Sequence, residues 1–377
     1  MIAAWIGALS CVIWCYLIMA RGRFWRPPIS GAVSSDQIPL PRIAVVVPAR
    51  NEAEVIAPVI RSLLDQDYSA PLHIFVVDDH SEDGTAEVVR EAASGREERL
   101  TIVASEPLPE GWTGKMWALW QGTRRAAEFE PEYFLLTDAD IVHNPTSISS
   151  MVALAKAGNL DLVSMMVRLR CESLAERALI PAFVFFFFML YPPEWVNDSK
   201  KRTAAAAGGD ILIRADALAK IGGIAAIRNE LIDDCALARK IKEVGKIRMG
   251  LTREASSIRS YDGFGGIGSM ISRTAFYQLR HSVWLLIGTL LGLAITYMAP
   301  PILVFFGGWA SVWAGVAWML MTVAICPMLN FFSVSLVWAP FLPLVAMFYA
   351  GATIHSAIQY WLGRGGNWKD RAQDVHP

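Results

Sequence analysis

The sequence predicts an α/β protein, a mostly parallel sheet with helices on both faces, set between apolar blocks that read as transmembrane helices. Two observations predict it. Between about residues 42 and 280, short β-branched or apolar runs alternate with amphipathic helical patterns, as expected of strands buried on both faces and connected through helices. On either side the chain is apolar and nearly free of charge over stretches long enough to cross a bilayer.

The first element is Ile2 to Ala20, uncharged and about the ~20 residues a spanning helix needs, with Arg21, Arg23 and Arg26 directly after it. It has neither a basic start nor a small-residue cleavage site. Residues 1–21 therefore read as an uncleaved anchor whose C-terminal end lies in the cytoplasm by the positive-inside rule. The plainer alternative is a buried soluble helix. Residues 22–41 include the Gly-, Ser- and Pro-bearing stretch Ser30 to Pro41 and read as a linker. Strands follow at Ile43–Val47, Leu72–Val77 and Leu100–Val103, each leading into a helical pattern, and YFLL and DLVSMM continue the sheet.

Within this region the segment PAFVFFFFMLYPPEW, 181–195, is too short to span, at ~10–14 apolar residues between prolines. It suits a helix lying in the bilayer interface, with a buried core helix as the ordinary structural alternative. Residues 281–362, interrupted by Pro300, Pro301, Pro327, Pro340 and Pro343, leave room for about three membrane helices. The polar tail 363–377 carries Arg364, Lys369 and Arg371, which favour the cytoplasm, whereas three crossings would put it on the far side. A fourth crossing or a re-entrant segment would reconcile the two.

A net charge of −1 and a pI near 6.6 give no basic footprint for nucleic acid. The five cysteines are scattered without paired spacing, which disfavours a zinc site or a disulfide framework. The chain is 54% hydrophobic, with a mean hydropathy of +0.36.

Parallel sheets bind ligands at the carboxyl ends of their strands, and acids collect there: PARNE after Val47, DDHSEDGT after Val77, TDAD after Leu136. Neither a G-x-G-x-x-G after the first strand nor a Walker cradle is present. An acidic crevice without a phosphate loop needs a cation to hold a phosphate ligand. Asp138 and Asp140, flanking one residue, suit Mg2+ or Mn2+ bound together with substrate phosphates. The plainer reading of Asp138 and Asp140 is a capping turn before the helix that starts near Asn144-Pro145-Thr146. Asp78 and Asp79 read either as solvated turn residues or as acceptors for a nucleobase and a ribose. For Glu52 the structural alternative is dipole complementarity in a first helical turn. Lys115 reads either as a solvated lysine at a helix start or, since a cation there is awkward against the helix dipole, as a partner for an anionic ligand. Asp233 and Asp234, in LIDDCALARKI, have the plain reading of an N-cap.

VVVPARNE, VVDDHSEDGT, GWTGKMWALWQG, TDAD and LIDDCALARKI, in this order and spacing over about Ile43 to Arg280, resemble the signature of family 2 glycosyltransferases. With the anchor, the EGWTGK segment and RTAFYQLRHS, the chain looks most like the hopene-associated members. The resemblance implies a glycosyltransferase A-type fold that binds a nucleotide-sugar, a UDP-sugar foremost, with a divalent cation. It places Pro48, Glu52, Asp78 and Asp79 on the nucleoside and Lys115 near the donor. Asp138 and Asp140 would serve the donor and its ion, Asp140 being the direct ligand. Asp234 would be the general base, with Asp233 where the family has Glu. Arg273 matches the arginine of a Gln/Arg-x-x-Arg-Trp motif, but Thr274 stands where Trp would be, which argues for single transfer over polymer synthesis. Asp210 falls where members vary.

The implied activity is inverting transfer to a membrane lipid, a hopanoid or related isoprenoid, by a catalytic domain on the cytoplasmic side of the cell's inner membrane. The competing readings are a processive polysaccharide synthase, a catalytically inactive membrane scaffold and, more weakly, a transporter.

Overall fold

The computed structural model describes residues 1–31, 40–364, 367–368 and 371–372. The centre of the expected linker and much of the polar tail, Lys369 included, lie outside the described residues. In chain order the elements are α1 (Ile2–Ala20), β1 (Ile29–Ser30), β2 (Ile43–Ala49), α2 (Ile56–Leu64), β3 (Leu72–Asp78), α3 (Thr85–Ala92) and β4 (Leu100–Ala104). Next come α4 (Gly114–Ala126), β5 (Tyr133–Thr137), β6 (Ile141–His143), α5 (Ser147–Gly158), β7 (Leu162–Arg168), α6 (Leu174–Leu190) and α7 (Pro193–Asn197). The chain continues through β8 (Asp210–Arg214), α8 (Ala215–Lys220), α9 (Asp233–Val244), β9 (Ile247–Ser257) and α10 (Gly263–Gln278). It then forms α11 (Val283–Leu293), α12 (Ala299–Leu303), α13 (Gly308–Phe331) and α14 (Leu342–Trp361). Two compact units result, one from Met1–Pro27, Cys171–Glu194 and Ser260–Asn367, the other chiefly from Pro28–Arg170 and Trp195–Arg259.

The second unit is built on a sheet of order β1-β9-β7-β8-β5-β2-β3-β4, with β6 against β9. Strands β5, β2, β3 and β4 run parallel, as do β1, β9 and β7. Strand β8 is antiparallel to both β5 and β7, and β6 is antiparallel to β9. The sheet is therefore mostly parallel, as expected, with only β8 and β6 reversed. The strand–helix alternation holds up to β5; β6 follows it through a short turn with no helix and runs the other way, and β8, reached through α6 and α7, is the second reversed strand. All seven residues of β2 are buried, which explains its unbroken apolar run. Ile43, Val45 and Val47 join the core of Ile56, Val59, Ile60 and Leu63 on one face of α2. Helix α4 covers the other face so closely that a Cβ at Gly122 would lie 2.5 Å from Val46 Cγ1 and 2.7 Å from Val77 Cγ2.

Among the described residues, the first unit contains four helical stretches long and apolar enough to cross a membrane: Ile2–Ala20, Val283–Phe306, Gly308–Phe331 and Leu336–Trp361. Trp14 Nε1 donates to Thr296 O at 2.9 Å, and Tyr349 Oη donates to Leu179 O at 3.1 Å, so α1 and α6 are tied to the C-terminal helices. Helix α6 starts seven residues before Pro181, at a capping box formed by Ser173 and Glu176. Phe185 and Phe188, on one helical face, are wholly buried; Phe185 packs on Phe24, and Phe186 on Tyr297 and Tyr349. Phe185 and Phe188 thus pack inside this unit, while Phe186 and Phe187 are half-buried.

Candidate active site

The loops after β2 and β3 are stitched together by short polar side chains. Asn51, at a positive φ of 50° that asparagine tolerates better than most residues, receives Glu82 N–H on its Oδ1 at 2.9 Å and donates its own N–H to Ser81 Oγ at 3.0 Å. Glu52 N–H donates to Thr85 Oγ1 at 2.9 Å. Helix α2 begins only at Ile56, so Glu52 belongs to this turn and not to a first helical turn. Its carboxylate is turned inward, 2.8 Å from Arg259 Nη2. Asp78 Oδ1 accepts Ser81 N–H at 3.2 Å, closing the turn. Asp79 is fully buried, its N–H on Ala49 O at 2.8 Å and Arg50 Nη1 on its own carbonyl at 2.6 Å.

At the end of β5 the two acids of TDAD part company. Asp140 Oδ2 accepts Ser257 Oγ–H at 2.6 Å and faces Arg259 Nε at 3.3 Å. Asp138 Oδ1 lies 2.9 Å from Lys115 Nζ, and the same ammonium is 3.4 Å from Asp233 Oδ2. Lys115 is held in the first turn of α4, behind an N-cap in which Thr113 Oγ1 accepts Met116 N–H. Asp233 and Asp234 open α9, whose N-cap is Ile232, so neither acid has the capping role open to it. Asp234 Oδ1 accepts Cys235 N–H at 2.6 Å.

Pro48, Lys115, Asp138, Gly208, Asp233 and Asp234 line one pocket. Burial and the neighbouring Asp233 carboxylate push Asp234 up to about 7, against the opposing pull of Lys115. Burial also raises Asp138 while Lys115 draws it back, and the third of its side chain that stays accessible tempers that rise. Burial works against the Lys115 ammonium, but Asp138 and Asp233 outweigh it and hold the lysine firmly charged. For Arg259, likewise, burial is outweighed by Asp140 and Glu52, and its pKa is raised.

The acids that pointed to a metal are thus partly offset by cations of the chain itself. Among the described residues no three or more His, Cys, Asp or Glu side chains are grouped to cage an ion. Two carboxylates with oxygens to spare, Asp138 Oδ2 and Asp140 Oδ1, fit an Mg2+ or Mn2+ that completes its shell with substrate phosphates. Of the residues expected from sequence, Arg273 is not brought in: it is exposed on α10 of the first unit and does not line the pocket. Ser257 and Arg259 were missed. Ser257 meets Asp140 across 117 residues and Arg259 meets Glu52 across 207, separations that no local pattern reveals.

Residues 44–222 match the sequence profile described as glycosyl transferase family 2. The match is shorter than the resemblance over Ile43 to Arg280, and Asp233, Asp234, Ser257 and Arg259 lie beyond it. An uncharacterized protein of Methanocaldococcus jannaschii is 32% identical over 117 residues, which are 31% of this chain and 43% of that relative. The chain therefore spans less than half the length of that relative. The mannosyltransferase PcManGT from Pyrobaculum calidifontis, solved in complex with GDP-Man and Mn2+, superposes with a TM-score of 0.59 at 20% identity, covering 96% of this chain and 99% of that one. The fold is of the glycosyltransferase A type.

Proposed function

We propose that this protein is a membrane-bound, metal-dependent glycosyltransferase that moves a sugar from a nucleotide-sugar to a lipid acceptor with inversion at the sugar carbon. The observation that carries the reading is the meeting of Asp138, Lys115 and Asp234 at one pocket in a chain that matches the family 2 glycosyltransferase profile. Asp234, pushed up to about 7, suits a general base working near neutral pH. It takes the proton of the acceptor hydroxyl as the new C–O bond forms and the bond from the sugar carbon to the diphosphate breaks. Lys115 and Arg259 bring positive charge to the side from which the diphosphate leaves. Asp138 and Asp140 would hold the divalent ion, which when bound supplies Lewis-acid stabilisation of the leaving group.

A lipid acceptor is supported by the four membrane-length helices of the same chain. The cytoplasmic placement of the catalytic unit rests on Arg21, Arg23 and Arg26 after α1. The resemblance of the EGWTGK and RTAFYQLRHS segments favours a polycyclic isoprenoid as that lipid.

The test is binding of UDP- and GDP-sugars to the purified protein with and without Mn2+, in wild type and Asp140→Ala. Wild type should bind at least one donor in a metal-dependent way, and Asp140→Ala should lose that dependence while keeping its thermal midpoint. A variant with wild-type metal dependence would give the carboxylate pair another role.

A further inference from the structure

Beneath the Asp138–Asp140 turn lies a pair of ionisable side chains that the chemistry above does not use. His143 closes β6 and Asp210 opens β8; their side chains are 0% and 1% exposed, and His143 Nε2 stands 3.5 Å from Asp210 Oδ1. Among the described residues, neither ring nitrogen and neither carboxylate oxygen has a hydrogen-bond partner. Leaving four polar atoms unbonded in a core is costly. An apolar pair of the same volume would stabilise the fold as well or better, so stability alone does not account for these two residues.

Their position does. Asp210 is paired across the sheet with Thr137, the residue before Asp138, and Thr137 Oγ1 donates to Gly209 O at 2.9 Å. His143, three residues past Asp140, is paired with Ala255 of β9, and its N–H is fixed on Ser62 Oγ at 3.1 Å. The contact therefore joins the strand that leaves the turn to the neighbour of the strand that enters it. The two glycines before Asp210 press on the site from the other side. A Cβ at Gly208 would lie 3.3 Å from Asp234 Oδ2 and 3.6 Å from Lys115 Nζ, and one at Gly209 would lie 3.3 Å from Ile141 Cδ1.

We infer that His143 and Asp210 are a buried brace that holds the Asp138–Asp140 turn and the Gly208–Gly209 segment in fixed relation. The brace sets the spacing between the carboxylates that take the donor and the Asp234 that takes the acceptor proton. Both are positioning residues, and neither touches substrate. The inference rests on the glycosyl-transfer reading above, and it concerns residues that reading leaves idle.

The experiment compares wild type with Asp210→Asn, His143→Gln, the double amide variant, and the apolar double variant His143→Leu/Asp210→Leu. Three quantities are measured: the thermal midpoint, the affinity for Mn2+ with UDP or GDP by Mn2+ electron paramagnetic resonance, and the turnover at saturating donor. Residues that orient metal ligands typically cost about 10–100-fold in metal affinity or activity when changed, and each single variant should lose that much in both. The double amide variant should lose no more than the worse single, because two halves of one brace do not add. The apolar double variant should be as stable as wild type and equally impaired; should it fail to fold, the amide series decides alone. Wild-type affinity and turnover in the amide variants, or a stable and fully active apolar variant, would overturn the brace. A wild-type protein that binds neither Mn2+ with nucleotide nor any sugar donor would instead remove the functional reading, and the brace with it.

Discussion

Two pairs of acids, Asp138 with Asp140 and Asp233 with Asp234, share one lysine and differ in almost everything else. The first pair ends a buried strand and is surrounded by donors: Lys115 on Asp138, Ser257 and Arg259 on Asp140. The second pair opens a helix; Asp233 takes the far side of Lys115, while Asp234 has the Cys235 N–H and the repulsion of its own neighbour. The same residue type is thereby met by cations and a hydroxyl in one place and, at Asp234, left beside a like charge that raises its pKa in the other. Environment divides the labour, as it does wherever paired carboxylates serve as acid and base.

The comparison is most open to breaking at Asp234. Asp234→Asn should leave donor and metal affinity near wild type while transfer falls by about 10²–10⁴-fold, the usual worth of a general base. A fully active Asn variant, measured alongside its thermal midpoint, would return Asp234 to a purely structural role. Lys115→Met should come next, since it strips a cation from both pairs at once. A loss of about 10–100-fold in donor affinity is expected, the usual cost of removing a partner of a ligating carboxylate. The thermal midpoint should also fall at neutral pH and recover in acid, where a protonated Asp138, raised by burial, no longer needs the ammonium. A midpoint lowered equally at all pH values would mean lost packing instead.

The pH profile sharpens the contrast further. Transfer should rise with pH through about 7 as Asp234 ionises, and this limb should be absent from the residual rate of the Asn variant. Stability runs the other way. A carboxyl raised in the folded state binds its proton more tightly there than in the unfolded chain, so its contribution is present below about pH 4 and is lost as pH rises through about 7. Opposite slopes in rate and melting temperature are therefore the expected mark of this residue, and parallel slopes would deny it. The smallest effect belongs to Gly208→Ala, whose methyl would meet Asp234 Oδ2 at 3.3 Å. It should slow transfer modestly and leave donor affinity alone.

The residues legible in the sequence were those at which a local pattern broke. Asp138 and Asp140 interrupt an apolar strand, Lys115 opens a helix against its dipole, and Asp233-Asp234 precede an amphipathic run. Strand existence was legible for the same reason, because β2 and β5 are buried on both faces and read as continuous apolar stretches. Direction was not legible for β8, which follows an excursion through the other unit and needs partners from both sides. Nor were Ser257 and Arg259, whose meaning lies entirely in what the sheet brings beside them. The phenylalanine run shows the converse: composition suggested a surface, but the spacing of Phe185 and Phe188 on one helical face turned both into the packed interior of the first unit.

The position of β9 has a consequence for how the protein is made. It is the last strand of the sheet to be synthesised, yet it pairs with β1, β6 and β7, all produced long before it. A nascent chain that has not reached Ile247 therefore carries three strands without their partner. One that has not reached Arg259 has Glu52 and Asp140 without the cation between them. Translation must pass the whole sheet before the acidic crevice is complete, and the next segments to leave the ribosome are α10 and the three C-terminal apolar helices. Completion of the acidic crevice and emergence of the helices long and apolar enough to cross a membrane are thus adjacent events in the timetable of synthesis.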